Sequence, residues 1–137
     1  MAGSWEIRQQ NQVQVALLHT ELTTVAWSFG FRRLIIPGPE PLPIAGMPFD
    51  HARNTACQHA LNAGMQWVFF LDTDVICPPD TILRLLAHNQ PIISGQYCRR
   101  SKPHGLPVFI KDGVWGTKNH KPNAVLEVDV VGAGCLL

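Results

Sequence analysis

The stretch Gln66-Trp-Val-Phe-Phe-Leu-Asp-Thr-Asp-Val-Ile-Cys-Pro-Pro-Asp80 decides how the chain is expected to fold. Its apolar run, Trp67 to Leu71, predicts a buried strand, and two carboxylates, Asp72 and Asp74, follow on the same side of an extended chain. Two prolines stop the run, and the closing aspartate is placed to open a helix. A buried strand that ends in acid-x-acid can hold a hard divalent cation at the edge of a sheet.

Composition limits the classes of protein that the chain can be. Its 137 residues, of which 46% are hydrophobic, are expected to form a single domain, residues 1–137, with a substantial core. Lys+Arg 11 against Asp+Glu 10 leaves it near neutral, so nucleic acid is not expected as a partner. The apolar runs are too short to span a membrane, and the first ten residues lack the apolar core of a signal peptide. We therefore expect no transmembrane segment and a cytoplasmic location.

Cysteine spacing and internal patterning add two further expectations. Cys57, Cys77, Cys98 and Cys135 show no paired spacing, so we expect buried, reduced thiols rather than a zinc site or a disulfide framework. Strand and helix patterns alternate along the chain, which favours an α/β fold with a mostly parallel sheet flanked by helices. The predicted strands are 12–18, 34–36, 67–71, 91–97 and 125–131, the predicted helices are 22–33, 50–63 and 80–88, and the predicted hairpin is 107–115.

Two stretches before the opening one carry more specific expectations. Asp50 is predicted to cap the helix over 50–63, and Gly64 to end it. The helix should pack through a small apolar stripe. The proline-rich stretch from Pro37 to Gly46 is predicted to be a surface loop, because proline removes backbone donors. The residues of the stripe are Ala52, Ala56, Cys57, Ala60 and Leu61.

Several interpretations of Asp72-Thr-Asp74 compete. The plainest is that both aspartates are turn and cap residues at a strand end. A helix–loop–helix calcium site lacks its further oxygen ligands and its glycine in the residues from Val75 to Pro78. A phosphatase of the haloacid dehalogenase type wants Gly-Thr after the second aspartate, where Val75 stands. A nucleotide-sugar site fits best, since carboxylates that leave part of a cation's shell open can place it on a diphosphate.

Five stretches carry a resemblance to a family when they are taken in order. This series, spread over residues 12–137, resembles the glycosyltransferases of the GT-A fold, most closely the inverting, family 2-like members. The resemblance implies a Rossmann-like nucleotide-diphospho-sugar transferase fold, with 12–98 as the nucleotide-binding half and 99–137 as a hairpin and the start of the acceptor side. The stretches are Asp50-His-Ala-Arg-Asn54, Phe69-Phe-Leu-Asp-Thr-Asp74, Pro79-Asp80, Ile93-Ser-Gly-Gln-Tyr-Cys-Arg-Arg100 and Val130-Val-Gly-Ala-Gly134.

The same resemblance implies a donor site. Mn2+ or Mg2+, bound through Asp74 and Asp72, would carry a nucleoside-diphosphate sugar, and its sugar would be transferred to an unknown acceptor. Gly132 and Gly134 would lie near the sugar and the acceptor. Apart from the resemblance, the basic cluster Arg99, Arg100 and Lys102 follows a predicted strand end, where it could contact the diphosphate or form only a solvated loop. The implied donor-binding residues are Thr20, Glu21, Arg53, Asp72, Thr73 and Asp74.

The chain also departs from the family's pattern. Such enzymes continue to an acidic catalytic base and commonly to a later histidine on the metal, whereas neither residue type follows Val131. No catalytic base is therefore assigned, and Glu127 and Asp129 are interpreted as residues on the solvent-exposed face of a strand. The chain is expected to be truncated at its C-terminus. The alternative is a truncated, non-catalytic module that binds nucleotide or self-associates as a homodimer through an open sheet edge.

Overall fold

The computed structural model describes residues 12–98, 105, 107–116, 121 and 123–137, and the elements below lie within them. Three helices and seven strands are present in these residues. In chain order the elements are β1 (Val13–Leu18), α1 (Val25–Phe31), β2 (Leu42–Ile44), α2 (Phe49–Asn62), β3 (Trp67–Asp72), α3 (Thr81–Ala87), β4 (Phe109–Lys111), β5 (Val114–Trp115), β6 (Val130–Val131) and β7 (Cys135–Leu136).

The main sheet has the strand order β2-β1-β3-β7. β1 is parallel to both β2 and β3, and Leu18 stands opposite Ile44 on one side and Asp72 on the other. β7 runs antiparallel to β3, with Cys135 opposite Leu71. The predicted α/β class with a mostly parallel sheet is confirmed, and three strands end together at one edge.

Helices cover both faces of this sheet because its central strands are apolar on both sides. One face buries Val15 and Phe69 against Trp27 of α1 and residues of α3. The other face packs Ala16 and its neighbours on the small side chains of α2. Alternate residues of β1 therefore enter different cores, as the period of a strand requires.

The predicted helix over 50–63 is α2, with corrections at its start and on its face. Pro48 occupies the N-cap position, so the predicted cap by Asp50 is wrong, and that residue lies in the first turn. The predicted end is confirmed: Gly64 has a φ of +67°, and Met65 donates to the carbonyl of Ala60. Ala52, Ala56 and Ala60 are buried, whereas Cys57 and Leu61 are exposed and the prediction is wrong for both.

The proline-rich stretch was also predicted incorrectly. It contains β2, while residues 34–36 form no strand. Among the described strands β2 lies at the edge of the sheet and pairs with β1 alone, so the missing N–H of Pro43 costs the sheet little. A proline excludes a central strand but not an edge one.

Residues 91–97 are not the regular buried strand that their sequence predicts. Ile92 is 70% exposed, and Ser94 forms an isolated bridge to Leu136. The segment still runs antiparallel to β7, because Ile93 and Leu137 exchange backbone hydrogen bonds of 2.9 and 2.8 Å. It covers the outer side of β7 and brings Tyr97 towards the end of β3.

A small antiparallel sheet, ordered β5-β4-β6, follows in the chain. Its hairpin is confirmed, and Asp112 and Gly113, with φ of 52° and 75°, form the two-residue turn that such a pair favours. The strand predicted over 125–131 shrinks to β6, and Val125 and Leu126 are exposed. No helix in the described part of the chain is long and apolar enough to cross a membrane.

Candidate functional site

The candidate site lies at the edge of the main sheet where β1, β2 and β3 end. His19, directly after β1, donates its backbone N–H to the carbonyl of Ile44 over 3.0 Å, which closes the two strand ends together. Thr20 and Glu21 follow and are exposed. Glu21 turns the chain sharply, with a φ of 75° and its N–H donated to Nδ1 of His19. Thr20 and Glu21, both predicted to bind the donor, therefore leave the sheet at the edge where Asp72 ends β3.

The acid pair departs from its predicted conformation. Asp72 is the last residue of β3, and the chain then turns, so that the N–H of Val75 donates to the carbonyl of Asp72 over 3.1 Å. Thr73 and Asp74 lie in this turn, and the prediction that both carboxylates stand on one side of an extended chain is wrong. They remain electrostatic neighbours, because the charge of Asp74 acts to raise the pKa of Asp72.

Arg53 of α2 faces this carboxylate. Its Nη2 lies 3.7 Å from Oδ1 of Asp72, and the two side chains are 31% and 33% exposed. Within the described residues, neither Nε of Arg53 nor Oδ1 of Asp72 has a hydrogen-bond partner, although both atoms are buried. The guanidinium also lies 5.8 Å from the ring centroid of Phe49 and 5.9 Å from that of Phe70. These rings hold its position through cation–π contacts.

The environment of Asp72 disfavours its negative charge. Burial raises the pKa of this carboxyl most strongly, Arg53 opposes that rise, and Asp74 adds to it, with a net upward shift. A carboxylate that pays for its own desolvation gains more from a nearby cation than an exposed one does. A further positive charge close to Asp72 would therefore stabilise its ionised form.

Tyr97 and Gly134 complete the surroundings of Asp72. The phenol oxygen of Tyr97 accepts the N–H of Gly134 over 2.9 Å, and the carbonyl of Gly134 accepts the N–H of Asp72 over 3.0 Å. A Cβ at Gly134 would stand 2.9 Å from the Tyr97 oxygen and 3.1 Å from Oδ2 of Asp72, and one at Gly132 would overlap the same phenol. The glycines permit this close approach, and the predicted sugar-side loop does lie beside Asp72.

Two residues of this region were not predicted. Nε1 of Trp27 in α1 donates to the carbonyl of Asp72 over 3.2 Å. Tyr97 lies within a motif that carries the resemblance, but no role was predicted for it, although it is the one tyrosine in the sequence and ends the predicted strand 91–97. The position of Tyr97 in the sequence could therefore have indicated a role at the site. The irregular apolar spacing around Trp27 gave no such indication.

The late acids and the basic cluster contribute little to this geometry. Oδ2 of Asp129 accepts the N–H of Asp112 over 2.6 Å and so fastens the hairpin turn. Glu127 is exposed. The cluster formed by Arg99, Arg100 and Lys102 lies outside the described residues.

The acid pair could supply part of the coordination shell of an ion such as Mg2+, with other ligands supplying the rest. Among the described residues, no group of three or more His, Cys, Asp or Glu side chains could hold a metal ion. Mg2+ in nucleotide sites, however, commonly uses one or two carboxylates together with water and substrate phosphate. Asp72, whose Oδ1 has no hydrogen-bond partner among the described residues, and its electrostatic neighbour Asp74 would be those two carboxylates. At this site, binding of the ion would require additional ligands from the phosphate groups of a bound substrate.

Comparison with known proteins supports a glycosyltransferase-type relationship. Residues 49–106 match the model of the Anp1 family, which comprises mannosyltransferase-like glycosyltransferases. The matched region includes Arg53, Asp72, Asp74 and Tyr97, and it spans fewer than half of the 137 residues. No curated protein and no solved structure matched the chain.

Proposed function

We propose that this domain is a metal-dependent glycosyltransferase of the GT-A fold, family 2-like, that transfers a sugar from a nucleoside-diphosphate sugar to an acceptor. One observation carries the proposal: the half-buried Asp72, with an oxygen that lacks a hydrogen-bond partner in the described structure, stands at the shared end of three strands. In open α/β sheets, ligands bind beyond these carboxyl ends. The Anp1 match over residues 49–106 supports the same class of reaction.

Each side chain has a role in this proposal. Asp72 and Asp74 would hold Mn2+ or Mg2+, which would supply positive charge to the departing diphosphate. Arg53 contributes a second positive charge beside Asp72 and, through it, favours a phosphate group. Thr20 and Glu21 line the nucleoside side, at the exposed end of β1.

The sugar side is formed by the glycine loop. Gly132 and Gly134 lie close against Tyr97, and Gly134 also lies close to Asp72, so the backbone of this loop borders the proposed donor site. Thr73 lies in the turn between the two acids and is partly buried. Tyr97 fixes this loop by accepting the N–H of Gly134.

A second candidate is a module that binds the donor without transferring its sugar. It is favoured by Asp129, a late acid whose carboxylate accepts a 2.6 Å hydrogen bond from the hairpin and so serves the turn. Self-association through the open edge of the main sheet is part of this candidate. That edge is β2, where Pro43 removes one of the donors that a second copy would need.

Calorimetric titration tests the donor site. UDP, GDP and their sugars are titrated with and without Mn2+ into the wild type, Asp72→Asn and Asp74→Asn. Asp80→Asn is the matched control, since Asp80 is an exposed aspartate at the start of α3 with no side-chain cap bond. We expect Mn2+-dependent binding by the wild type and the control, and its loss in the other two. Binding that is equal in all four proteins would refute the site.

Turnover separates the two candidates. Wild-type protein that binds a donor is incubated with that nucleotide sugar, Mn2+ and a panel of sugar acceptors, and release of nucleoside diphosphate is followed. Release that Asp74→Asn abolishes identifies an enzyme. Metal-dependent binding with no release identifies the binding module.

A further inference from the structure

Two of the four cysteines are in contact next to the candidate site. Sγ of Cys77 lies 3.6 Å from Sγ of Cys135, although 58 positions separate them in the sequence, and both are free thiols. Cys135 is 3% exposed and Cys77 is partly buried. Cys57 and Cys98 are exposed instead. The chain therefore contains one thiol pair that folding brings together, and two exposed cysteines that can serve as internal controls.

The backbone fixes both members of the pair. Cys135 lies in β7 opposite Leu71 of β3, and its carbonyl accepts the N–H of Gly95 over 2.9 Å. Cys77 lies between the turn after β3 and α3, where its side chain packs against the main core. An S–S bond would require the two sulfur atoms to approach by about 1.5 Å, a distance that side-chain rotation can supply.

The two thiols differ in reactivity. The hydrogen bond between the two thiols lowers the pKa of Cys77, and this effect outweighs the opposing effect of burial. The same contact, followed by burial, raises the pKa of Cys135. Cys77 is thus the better nucleophile and the more accessible sulfur, while Cys135 is shielded behind it. This is the division between an attacking and a resolving thiol.

We propose that Cys77 and Cys135 form a redox-active pair that closes to an intramolecular disulfide by exchange with a small disulfide of the glutathione type. The Cys77 thiolate attacks one sulfur of the oxidant, which releases one thiol and leaves a mixed disulfide on Cys77. Cys135 then loses its proton and attacks Cys77, which releases the second thiol. The protein loses two electrons and two protons, and the oxidant is reduced to two thiols.

The bond would join two elements that hold Asp72. Cys77 follows the turn that begins at Asp72, and Cys135 follows Gly134, whose carbonyl accepts the N–H of Asp72. Oxidation therefore locks β7 onto the end of β3. The inference concerns the thiols alone and does not depend on glycosyl transfer.

Redox titration with mass mapping tests the pair. Wild type and the Cys57→Ser/Cys98→Ser variant are equilibrated natively at graded ratios of reduced to oxidised glutathione, alkylated and digested. We expect a Cys77–Cys135 cross-linked peptide in both proteins, its loss on reduction, and a rise in melting temperature on the order of 10 °C. Cys77→Ala should leave Cys135 unmodified, and Cys135→Ala should accumulate glutathione on Cys77.

The proposal fails if native protein acquires glutathione only on Cys57 and Cys98. It also fails if the cross-link appears only in denaturant. Cys77→Ala keeps the conclusion independent of core damage, because Cys77 is the less buried of the two positions. Circular dichroism of each variant confirms that the protein compared is folded.

Discussion

Arg53 and Asp72 face each other as an ion pair without a hydrogen bond. Their closest atoms, Nη2 and Oδ1, are 3.7 Å apart, beyond hydrogen-bond range, and Oδ1 has no other partner among the described residues. Charge attraction therefore holds the pair, while Nε of Arg53 and Oδ1 of Asp72 make no hydrogen bond to any described residue. A ligand that brings a cation to Asp72 and a phosphate to Arg53 would satisfy both at once.

Replacement of Arg53 should impair binding far more than folding. The pair is about one-third exposed on each side, so Arg53→Met should change the free energy of unfolding by no more than about 1 kcal/mol. Loss of a charge-assisted phosphate contact should weaken donor binding by about tenfold or more. The donor affinity of Arg53→Lys should lie between those of wild type and Arg53→Met, since lysine keeps the charge but lacks the planar group that lies near Phe49 and Phe70. Urea unfolding and calorimetry measure the two effects, and a large loss of stability with intact binding would contradict this account.

Asp72→Asn should stabilise the protein at neutral pH in the absence of metal. The folded pKa of Asp72 is raised, so the native state retains a proton that the unfolded chain releases. Stability contributed by this group is then present at low pH and is lost as pH rises through the folded pKa. The gain in melting temperature of Asp72→Asn over wild type should therefore appear as pH rises and vanish in acid.

Bound metal should make the wild type more stable than Asp72→Asn at neutral pH. Added Mn2+ with a nucleoside diphosphate should stabilise wild type and leave Asp72→Asn unchanged, since ligand binding to the native state adds stability. Thermal shift across the pH range follows both effects, with Asp80→Asn as the control. If Asp72→Asn is less stable than wild type at neutral pH without metal, the attraction of Arg53 for the Asp72 carboxylate outweighs the cost of its burial.

The main elements could be predicted because their signals are local. β1 is apolar apart from Gln14, β3 follows a continuous apolar run, α2 has its alanine repeat and a glycine after its end, and the turn of the hairpin carries Asp112-Gly113. The errors depended on neighbours in space. Pro43 is acceptable only because β2 is an edge strand, and residues 91–97 remain irregular because they pair with β7 over only a few positions.

The site could be predicted in part for a similar reason. Motif order indicated Asp72, Arg53 and the glycine loop, and the structure brings all three together. Trp27 was missed because it contacts a backbone carbonyl, and a backbone acceptor leaves no residue type to recognise. Asp74 was expected beside Asp72 on an extended strand, but the hydrogen bond from Val75 turns the chain first.

Tyr97→Phe should loosen the glycine loop. It removes the acceptor of the Gly134 N–H, and an unsatisfied buried amide costs about 1–3 kcal/mol. We expect a loss of that size in urea unfolding and faster hydrogen exchange at the Gly134 amide. Donor binding should weaken, whereas the affinity of the acid pair for Mn2+ alone should change little. Unaltered exchange at Gly134 would show that the loop does not depend on the phenol.

Gly134→Ala tests the close approach to Asp72 most directly. The added Cβ would meet Tyr97 at 2.9 Å and Oδ2 of Asp72 at 3.1 Å, so the loop must move. Overpacking of this kind costs about 1–3 kcal/mol and should reduce Mn2+-dependent donor binding as the carboxylate shifts. Gly64→Ala is the matched control: it has open space but a φ of +67°, so it should cost about 1–2 kcal/mol through the backbone alone and leave binding intact.

The double variant Gly134→Ala/Tyr97→Phe separates the two contacts of the new methyl group. Removal of the phenol oxygen relieves one of them, but the ring carbon Cζ remains 2.9 Å from the Cβ position, so the rescue of stability should be partial. A coupling energy near zero between the two substitutions would mean that Tyr97 and Gly134 act independently. Recovery of stability without recovery of donor binding would trace the binding defect to Asp72, because that carboxylate still faces the added methyl group.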